Sequence, residues 1–422
     1  MAFELVLENG LLLRTVRDEA DIQKYIEFNT IYNNPNEGLN TDILVRNYPG
    51  AQYENFWLIE QMATGQIVAT TCLIPWEMQF EGVRLRAAQL EQVLSRPDFR
   101  RQGLIKILVK RFMQEVQDRG LDLSFIWGIP YYYRQYGYTY AIEGNCYESL
   151  PAARIPDAPG AGSSPYSFRR ATYADCQVLT ELYRQCMLPY ALTLSRTPEH
   201  WRYLLEYSRF PVELIEDASN CQAVGYLGAC THPDIPGFSV VESGLTDARA
   251  ALPALQHLKT RTVGDIQIFW PQGSALARMA RNLGSSPLVV GQWLFHIPNP
   301  ANFLLKLAPV FGQRLAGSGY AALTQEFTIN LFRQAYRLSF DAGKLADVHP
   351  LGFVDTSMGA DGGDLCIPPD AFVRLVLAYR SLDELLDAWP DIIVKPHSRS
   401  LVDALFPKKP SYLYATYAYF GG

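Results

Sequence analysis

The stretch PDFRRQGLIKILVKRF, residues 97–112, joins a basic turn containing one glycine to an apolar helix. A helix leaves its first backbone N–H groups unpaired and carries partial positive charge at that end. A glycine turn ahead of it lets a phosphate approach the backbone closely, so the stretch indicates a pyrophosphate site. The alternative is an ordinary helix with a basic first turn. That alternative leaves unexplained why cations stand where the helix disfavours them.

The segments around this turn predict a mixed α/β domain. Apolar periodicity indicates a helix over 18–32, and alternation indicates two strands within 55–74 joined by a turn at Gly65. A strand over 83–94 leads into the basic turn, and another over 121–127 leads into the aromatic run PYYYRQYGYTYAI, residues 130–142. A strand therefore feeds a glycine turn that opens a helix.

Residues 151–167, PAARIPDAPGAGSSPYS, are typical of a linker. The region after it begins as the first one does, with a short strand, an acidic cap at Asp175 and a helix with one apolar face. Its later strand and helix, within 237–258, have no arginine-glycine turn between them. The central region is therefore predicted to be a degenerate copy of the first.

A third region is predicted to be a small α+β unit. Asn299 can cap a helix that starts with Pro300, and Ser381 with Glu384 has capping-box spacing. Alternating segments between these helices indicate strands, and the aromatic end, residues 412–422, is predicted to be a strand as well.

Composition excludes several classes of protein. The chain of 422 residues has 37 basic and 43 acidic residues, a net charge of -6, which argues against nucleic acid and suits a cationic substrate. Seven cysteines without paired spacing indicate reduced thiols in a cytoplasm, and isolated histidines predict no metal site. No leader segment or membrane-spanning run is expected.

The basic turn resembles a known cofactor signature. Arg100-x-x-Gly103-x-Ile105 is similar to the Gln/Arg-x-x-Gly-x-Gly/Ala acetyl-CoA motif of GNAT acetyltransferases, with isoleucine in place of the last small residue. The aromatic run resembles their Phe-Tyr-x-x-x-Gly-Phe element. That resemblance assigns Tyr133 to protonation of the departing CoA thiolate and Tyr132 to the phenylalanine position. Tyrosine-rich segments also simply pack, so both interpretations stay open.

Over nearly its full length the chain resembles the enhanced intracellular survival (Eis) family. The resemblance implies an α/β (α+β) fold of two tandem GNAT-type mixed-sheet domains and a small α+β domain similar to sterol carrier proteins. The expected divisions are 1–152 for the acetyl-CoA domain, 166–297 for the degenerate copy and 298–422 for the last domain. The family often forms hexamers, so a homo-oligomer is expected.

The resemblance also implies which residues contact acetyl-CoA. Backbone N–H groups of the turn would hold the pyrophosphate, the end of the preceding strand would pair with the pantetheine amides, and two residues after the next strand would line the other side. These residues are Val93, Leu94, Ser95, Arg100, Arg101, Gln102, Gly103, Leu104, Ile105, Lys106, Gly128 and Ile129.

The catalytic base has two candidates. The family uses the C-terminal carboxylate, here that of Gly422, although family members commonly end on an aromatic residue and this chain ends Phe420-Gly421-Gly422. Glu91 is the rival, because twofold alternation along a strand would place it on the same face as Val93. A solvated or ion-paired carboxylate is the plainer interpretation of Glu91.

The predicted function is transfer of an acetyl group from acetyl-CoA to a primary amine of a small molecule or a lysine side chain by direct attack. The resemblance implies aminoglycosides and polyamines as acceptors. One alternative is a transferase for longer acyl chains. The size of the side chains beside Val93 and Trp127 would decide between acetyl and a longer acyl group. Another is a lipid- or sterol-binding protein with a vestigial transferase site.

Overall fold

The computed structural model describes residues 3–158, 160, 164–208, 210–231, 237–262, 264–269, 273–356 and 361–414, without the side chains of 145–147 and 288–290. Within them the chain forms an α/β fold with two sheets, which confirms the predicted fold class. No helix of this described part combines the length and apolar character that a membrane crossing requires.

The strands run in chain order as follows: β1 (Glu4–Val6), β2 (Leu11–Thr15), β3 (Phe56–Gln61), β4 (Ile67–Phe80), β5 (Val83–Ser95), β6 (Leu123–Ile126), β7 (Thr139–Pro151), β8 (Tyr166–Arg170), β9 (Leu192–Leu194), β10 (Val212–Asp217), β11 (Ala223–Thr231), β12 (Phe238–Leu245), β13 (Asp265–Phe269), β14 (Ser286–His296), β15 (Gln325–Asn330), β16 (Ala335–Asp341), β17 (Lys344–Gly352), β18 (Leu365–Cys366) and β19 (Ile393–Val394). The helices are α1 (Glu19–Tyr32), α2 (Pro35–Asn47), α3 (Leu104–Asp118), α4 (Cys176–Met187), α5 (Pro198–Tyr207), α6 (Ala251–Lys259), α7 (Ala275–Asn282), α8 (Pro300–Lys306), α9 (Ala308–Ala316), α10 (Pro369–Val376), α11 (Leu382–Ala388) and α12 (Arg399–Leu405).

One sheet runs through the first and central regions. Its strand order is β1-β2-β3-β4-β5-β6-β14-β7-β13-β12-β11-β10-β8, and β9 pairs with β4 beside this path. Two long strands join the regions: the first half of β14 pairs with the second half of β7, and residues 292–295 of β14 pair with residues 139–143 of β7. Residues 294–296 also pair with β6. A strand at the end of the central region thus completes the sheet of the first.

The two faces of the sheet around β4 and β5 pack against different partners. Ala88 and Leu90 lie in a core with the apolar stripe of α3. Ala87 and Trp76 lie in another core with α1, α2 and helices of the central region. We call these sides the α3 face and the α1–α2 face. Residues 412–414, near the end of the described chain, also reach the central region, since Tyr412 forms an isolated parallel bridge with Thr193 of β9.

Local signals in the sequence place most elements correctly. Asp18 caps α1, Gly65 stands in the turn between β3 and β4, and Ser381 with Glu384 forms the predicted capping box of α11. Asn299 caps α8 as predicted, and Pro300 is its first residue; α8 ends at Lys306, and a second helix, α9, begins at Ala308. Of the strand predicted over 412–422, residues 415–422 lie outside the described residues.

The last region has its own mixed sheet, in the order β17-β16-β15-β18-β19, in which β15 and β18 pair in parallel and the other neighbours are antiparallel. Helices α8, α9 and α12 pack against it through the same core that covers the α1–α2 face. The region therefore continues the core of the rest of the molecule.

Candidate active site

The site lies where two parallel strands of the first region separate. Strands β5 and β6 pair at only three positions, the last of them Gln89 with Phe125. Strand β5 continues to Ser95, still paired on its other edge with β4. The edge of β5 that faces β6 therefore has no strand partner over 91–95 in the described part of the chain. We call this separation of β5 and β6 the gap; it lies between the α3 face and the α1–α2 face.

A bulge in β5 lies beside this gap. Leu94 pairs with Thr70 and Glu91 pairs with Cys72, so β5 has one residue more than β4 over this span. The extra residue is accommodated at Gln92, which has a left-handed backbone with φ of 53°. A bulge of this kind redirects the side chains that follow it.

The bulge overturns one sequence-based prediction. Val93 packs against the core on the α3 face, whereas Ala87 and Trp76, which share the face of Glu91 by register, belong to the core on the α1–α2 face. The expectation that Glu91 and Val93 share a face is therefore wrong, because regular alternation does not extend through the inserted residue. Glu91 and Val93 stand on opposite sides of the gap.

The basic turn lies at the end of β5 on the α3 face. Gly103 is the N-cap of α3 and has φ of 80°, which glycine adopts without strain. The first hydrogen bond of the helix runs from the Ile107 N–H to the Gly103 carbonyl. Six consecutive backbone N–H groups, Arg101 to Lys106, have no acceptor among the described residues.

The charges of this turn are also free within the described chain. Arg96 and Arg111, on either side, are paired with Asp98 and Glu115. By contrast, Arg100, Arg101 and Lys106 are exposed and form no ion pair with any described residue. Unpaired cations beside a row of free N–H groups form a site for a polyanion such as a pyrophosphate.

Tyr133 stands at the other edge of the gap, in a 3-10 turn over Tyr132–Tyr136. Its ring is buried against the backbone of Gly128, where an added Cβ would lie 2.3 Å from Cδ2 of the ring. Its hydroxyl makes no hydrogen bond to described residues and is not among their fully enclosed polar atoms. Burial and then the charge of Glu91 raise the pKa of Tyr133, so the hydroxyl stays protonated at neutral pH.

Glu91 is half-buried on the α1–α2 side of the gap and accepts a hydrogen bond from Gln89 Nε2 at 2.8 Å. Glu37 of α2 lies near the same place, since both carboxylates raise the pKa of the buried Cys72 thiol, after the larger effect of burial. The α1–α2 side therefore presents carboxylates, while the α3 side presents cations.

The structure brings most of the predicted residues to one gap. Val93 to Ser95 form its β5 edge, the turn from Arg100 to Lys106 follows, and Gly128 with the exposed Ile129 continues from β6. Gly422 lies outside the described residues. Sequence reasoning missed Trp76, Gln89 and His200, which carry no local motif. Trp76 contacts both of the others, through a hydrogen bond to Gln89 and a stack with His200.

The central region repeats the strand separation without the basic turn. Strand β12 pairs in parallel with β13 only from Phe238 to Val240. In the place of an arginine-glycine turn, Asp247 accepts a hydrogen bond from the Arg249 N–H and pairs with its guanidinium. A carboxylate at this position disfavours a pyrophosphate.

Comparison with known proteins agrees with this geometry. Residues 15–141 match the acetyltransferase (GNAT) domain family. No curated protein matches the sequence. The chain thus contains a GNAT acetyltransferase domain and is an acetyltransferase enzyme.

Solved structures resemble the whole chain at low sequence identity. A probable N-acyltransferase from Enterococcus faecalis V583 has a TM-score of 0.73 at 15% identity, with 96% of this chain and 98% of that chain covered. A GNAT-family acetyltransferase from Anabaena variabilis has 0.70 at 16%, with 96% and 99% covered. Eis1 from Mycobacterium abscessus has 0.59 at 15%, with 95% and 98% covered. At these identities the likeness shows a shared fold.

Proposed function

We propose that this GNAT-domain protein is an acetyl-CoA-dependent N-acetyltransferase that acetylates a primary amine of a small molecule or a lysine side chain. One observation carries the proposal. Within the described chain, a row of six backbone N–H groups without acceptors, among cations without ion pairs, lies directly beside a gap between two strands. The turn suits a pyrophosphate, and the gap gives a thioester access to the opposite face.

Each part of acetyl-CoA has matching groups in the chain. The N–H groups of Arg101 to Ile105 would hold the pyrophosphate, and the side chains of Arg100, Arg101 and Lys106 would neutralise its phosphates. The free β5 edge at Val93 to Ser95 would pair with the pantetheine amides as an added strand does. Gly128 and Ile129 would line the facing side.

Acetyl-CoA supplies the acyl thioester. Residues beside the gap then transfer two protons. One proton leaves the attacking amine as its lone pair forms the C–N bond, and the other reaches the sulfur as the C–S bond breaks. Tyr133 is placed to donate the second proton, because its hydroxyl is protonated and has no other partner in the described chain. Holding both reactants in one passage supplies much of the rate.

The first proton has two candidate acceptors. Glu91 lies on the α1–α2 side, opposite the cations, where an amine would arrive. The carboxylate of Gly422 is the alternative that the Eis resemblance suggests. Tyr414, the last described residue, accepts a hydrogen bond from Arg196 beside the α1–α2 face, so the chain end starts near the acceptor side. We favour Glu91, because its carboxylate accepts a hydrogen bond from Gln89 and lies close enough to Tyr133 for its charge to add to the effect of burial in raising the pKa of that hydroxyl.

The carboxylates Glu37 and Glu91 suit a cationic acceptor, as the aminoglycosides and polyamines of the Eis resemblance are. We propose acetyl rather than a longer acyl chain because of Trp127. Its indole lies against Gly144 and Gly291, where an added Cβ would come within 1.9 Å and 2.7 Å of ring atoms. Packed this tightly beside Gly128, the ring limits the space behind the gap.

The Eis-like organisation is part of the proposal. The division into 1–152, 166–297 and 298–422, the sterol carrier-like character of the last domain and a homo-oligomeric state are all proposed from the resemblance. The similarity to Eis1 over 95% of this chain supports the three-part organisation at the level of the fold.

Calorimetric titration with acetyl-CoA tests the proposal. We expect saturable binding by the wild type and none by Gly103→Trp, which fills the turn with an indole. Gly65→Trp is the matched control, because Gly65 also has a positive φ of 66° and also has no atom within 4 Å of an added Cβ. Absence of binding by the wild type, or equal binding by both variants, would refute the phosphate site.

A further inference from the structure

A chain of buried hydrogen bonds leads to Glu91 from the junction of the first and central regions. The indole Nε1–H of Trp76 donates to Gln89 Oε1 at 2.7 Å, and Gln89 Nε2 donates to Glu91 Oε1 at 2.8 Å. Gln89 is fully buried and Trp76 is 5% exposed, whereas Glu91 is open to the gap. Water therefore does not compete with the bond between Trp76 and Gln89.

The first bond sets the direction of the second. An indole N–H can only donate, so it selects the orientation of Gln89 that presents the amide oxygen to Trp76. The NH₂ group of Gln89 must then point at Glu91. A carboxylate accepts such a bond best when it is ionised, and an ionised carboxylate is what a general base needs.

Trp76 is itself held by the central region. The imidazole of His200, on α5, stacks on the Trp76 indole with ring centroids 5.1 Å apart and an interplanar angle of 10°. His200 Nε2 lies 3.1 Å from the Tyr48 hydroxyl, which donates to the Pro75 carbonyl at 3.2 Å. Burial lowers the pKa of His200 to about 4, so the ring is neutral at pH 7.

We propose that Gln89 is a positioning residue for acetyl transfer. It holds the carboxylate of Glu91 ionised and aimed at the acceptor side of the gap, and Trp76, clamped by His200 of the central region, holds Gln89. The inference rests on the proposed function. It also gives the central region, which has no basic turn of its own, a part in the chemistry of the first.

A pH profile of activity can be assigned to Glu91 only when the titratable groups near it have been considered. The charge of Glu91 acts on two titratable groups, Cys72 of β4 and Tyr133 of the 3-10 turn. Glu37 of α2 acts on the same Cys72, and His200 lies behind Trp76. Burial raises the pKa of Cys72 and of Tyr133, so neither titrates below neutral pH. Glu37, whose pKa burial also raises, is the group that must be separated from Glu91.

A double-mutant cycle tests the proposal through the rate of thiol release from acetyl-CoA. The acceptor is the amine with the highest turnover among spermidine, kanamycin and free lysine. Gln89→Met keeps the length of the side chain and removes both bonds. We expect kcat to fall about 10-fold, in line with loss of a hydrogen bond to a charged group, with unchanged acetyl-CoA affinity. In a Glu91→Gln background the same substitution should change kcat less than about 2-fold.

The pH profile gives a second readout, which a merely structural role would not move. The acidic limb of kcat/KM should shift upward by about one pH unit in Gln89→Met, and less in Trp76→Phe, which frees the amide of Gln89 to turn. Glu37→Gln should leave the limb in place. Gln267→Met is the matched control, because this buried glutamine of β13 bonds Ser149 at 3.1 Å, away from the gap.

The outcomes separate the two proposals. An active wild type whose kcat and acidic limb are unchanged by Gln89→Met would refute the positioning role alone. A loss that persists undiminished in the Glu91→Gln background would refute it too, because Gln89 would then act without Glu91. A wild type that binds no acetyl-CoA and acetylates none of the three amines would overturn the proposed function and this inference with it.

Discussion

Replacement of Tyr133 by phenylalanine separates chemistry from packing at the gap. The ring of Tyr133 fills the space over Gly128, and phenylalanine keeps that contact. The hydroxyl makes no hydrogen bond to a described residue, so its removal leaves no buried partner unsatisfied. The free energy of unfolding should therefore change by less than about 0.5 kcal/mol, as for a substitution that breaks no buried interaction.

The effect on turnover should be much larger. General acid catalysis contributes about 100-fold to 10,000-fold to a rate. Water in the open gap can supply the proton in the variant, so we expect the lower end, a fall in kcat of about 100-fold. This fall corresponds to about 2.7 kcal/mol of transition-state free energy. Affinity for acetyl-CoA should stay within about 2-fold, because the hydroxyl acts only as the C–S bond breaks.

Tyr138→Phe is the matched control. The hydroxyl of Tyr138 is buried and bonded to the Ser124 hydroxyl at 2.9 Å, so its loss should cost about 1 kcal/mol of stability and leave kcat nearly unchanged. Thiol release measures kcat, calorimetry measures acetyl-CoA affinity and urea unfolding measures stability. A Tyr133→Phe variant with wild-type kcat would remove the residue from the reaction. Equal losses of kcat in both variants would show that the tyrosine cluster acts through packing.

Two further predictions concern the α1–α2 side. Trp127→Ala should let the enzyme accept longer acyl chains, because it removes the indole that limits the space behind the gap. We expect the ratio of kcat/KM for octanoyl-CoA to that for acetyl-CoA to rise at least about 10-fold. An unchanged ratio would show that another residue limits the length of the acyl chain. His200 should make stability depend on pH, because its folded pKa of about 4 lies below the ordinary 6.5. Its contribution to the free energy of unfolding is fully present above about pH 6.5 and is lost as the pH falls from 6.5 to 4, by about 3 kcal/mol in total. Urea unfolding at pH 5 and pH 7 should show a smaller difference in His200→Phe, which keeps the stack on Trp76, than in the wild type.

The parts of the site that the sequence predicts are those with a local cause. The turn around Gly103 is visible because a positive φ, a free helix end and a cluster of cations all lie within a few residues. Tyr133 is found by its spacing from Gly137. Each of these features is a property of one short segment, so it can be recognised before the chain is folded.

The parts that escape prediction depend on pairing between distant segments. The bulge at Gln92 is defined by counting residues of β5 against β4, and it reverses the face on which Val93 stands. The completion of the first sheet by β14 joins residues more than 150 positions apart. Trp76 and His200 lie in unrelated segments with no motif. Their connection to Gln89 is visible only in the folded chain, where His200 stacks on Trp76 and Trp76 donates a hydrogen bond to Gln89.

Parallel strands separate at two places in the described chain, β5 from β6 and β12 from β13. The differences between these two places explain why we assign the chemistry to the first. Each has a glutamate two residues beyond its last parallel pair, Glu91 after Gln89 and Glu242 after Val240. Glu242 is buried in an ion pair with Arg196 at 2.6 Å, both side chains being almost fully enclosed, so it cannot exchange protons with a substrate. Glu91 is half-buried beside its gap and accepts a hydrogen bond from the neutral amide of Gln89. With Asp247 in place of a basic turn, the described part of the central gap has no anion site, and its glutamate is held in an ion pair. In our proposal the central region instead supports the first gap through His200.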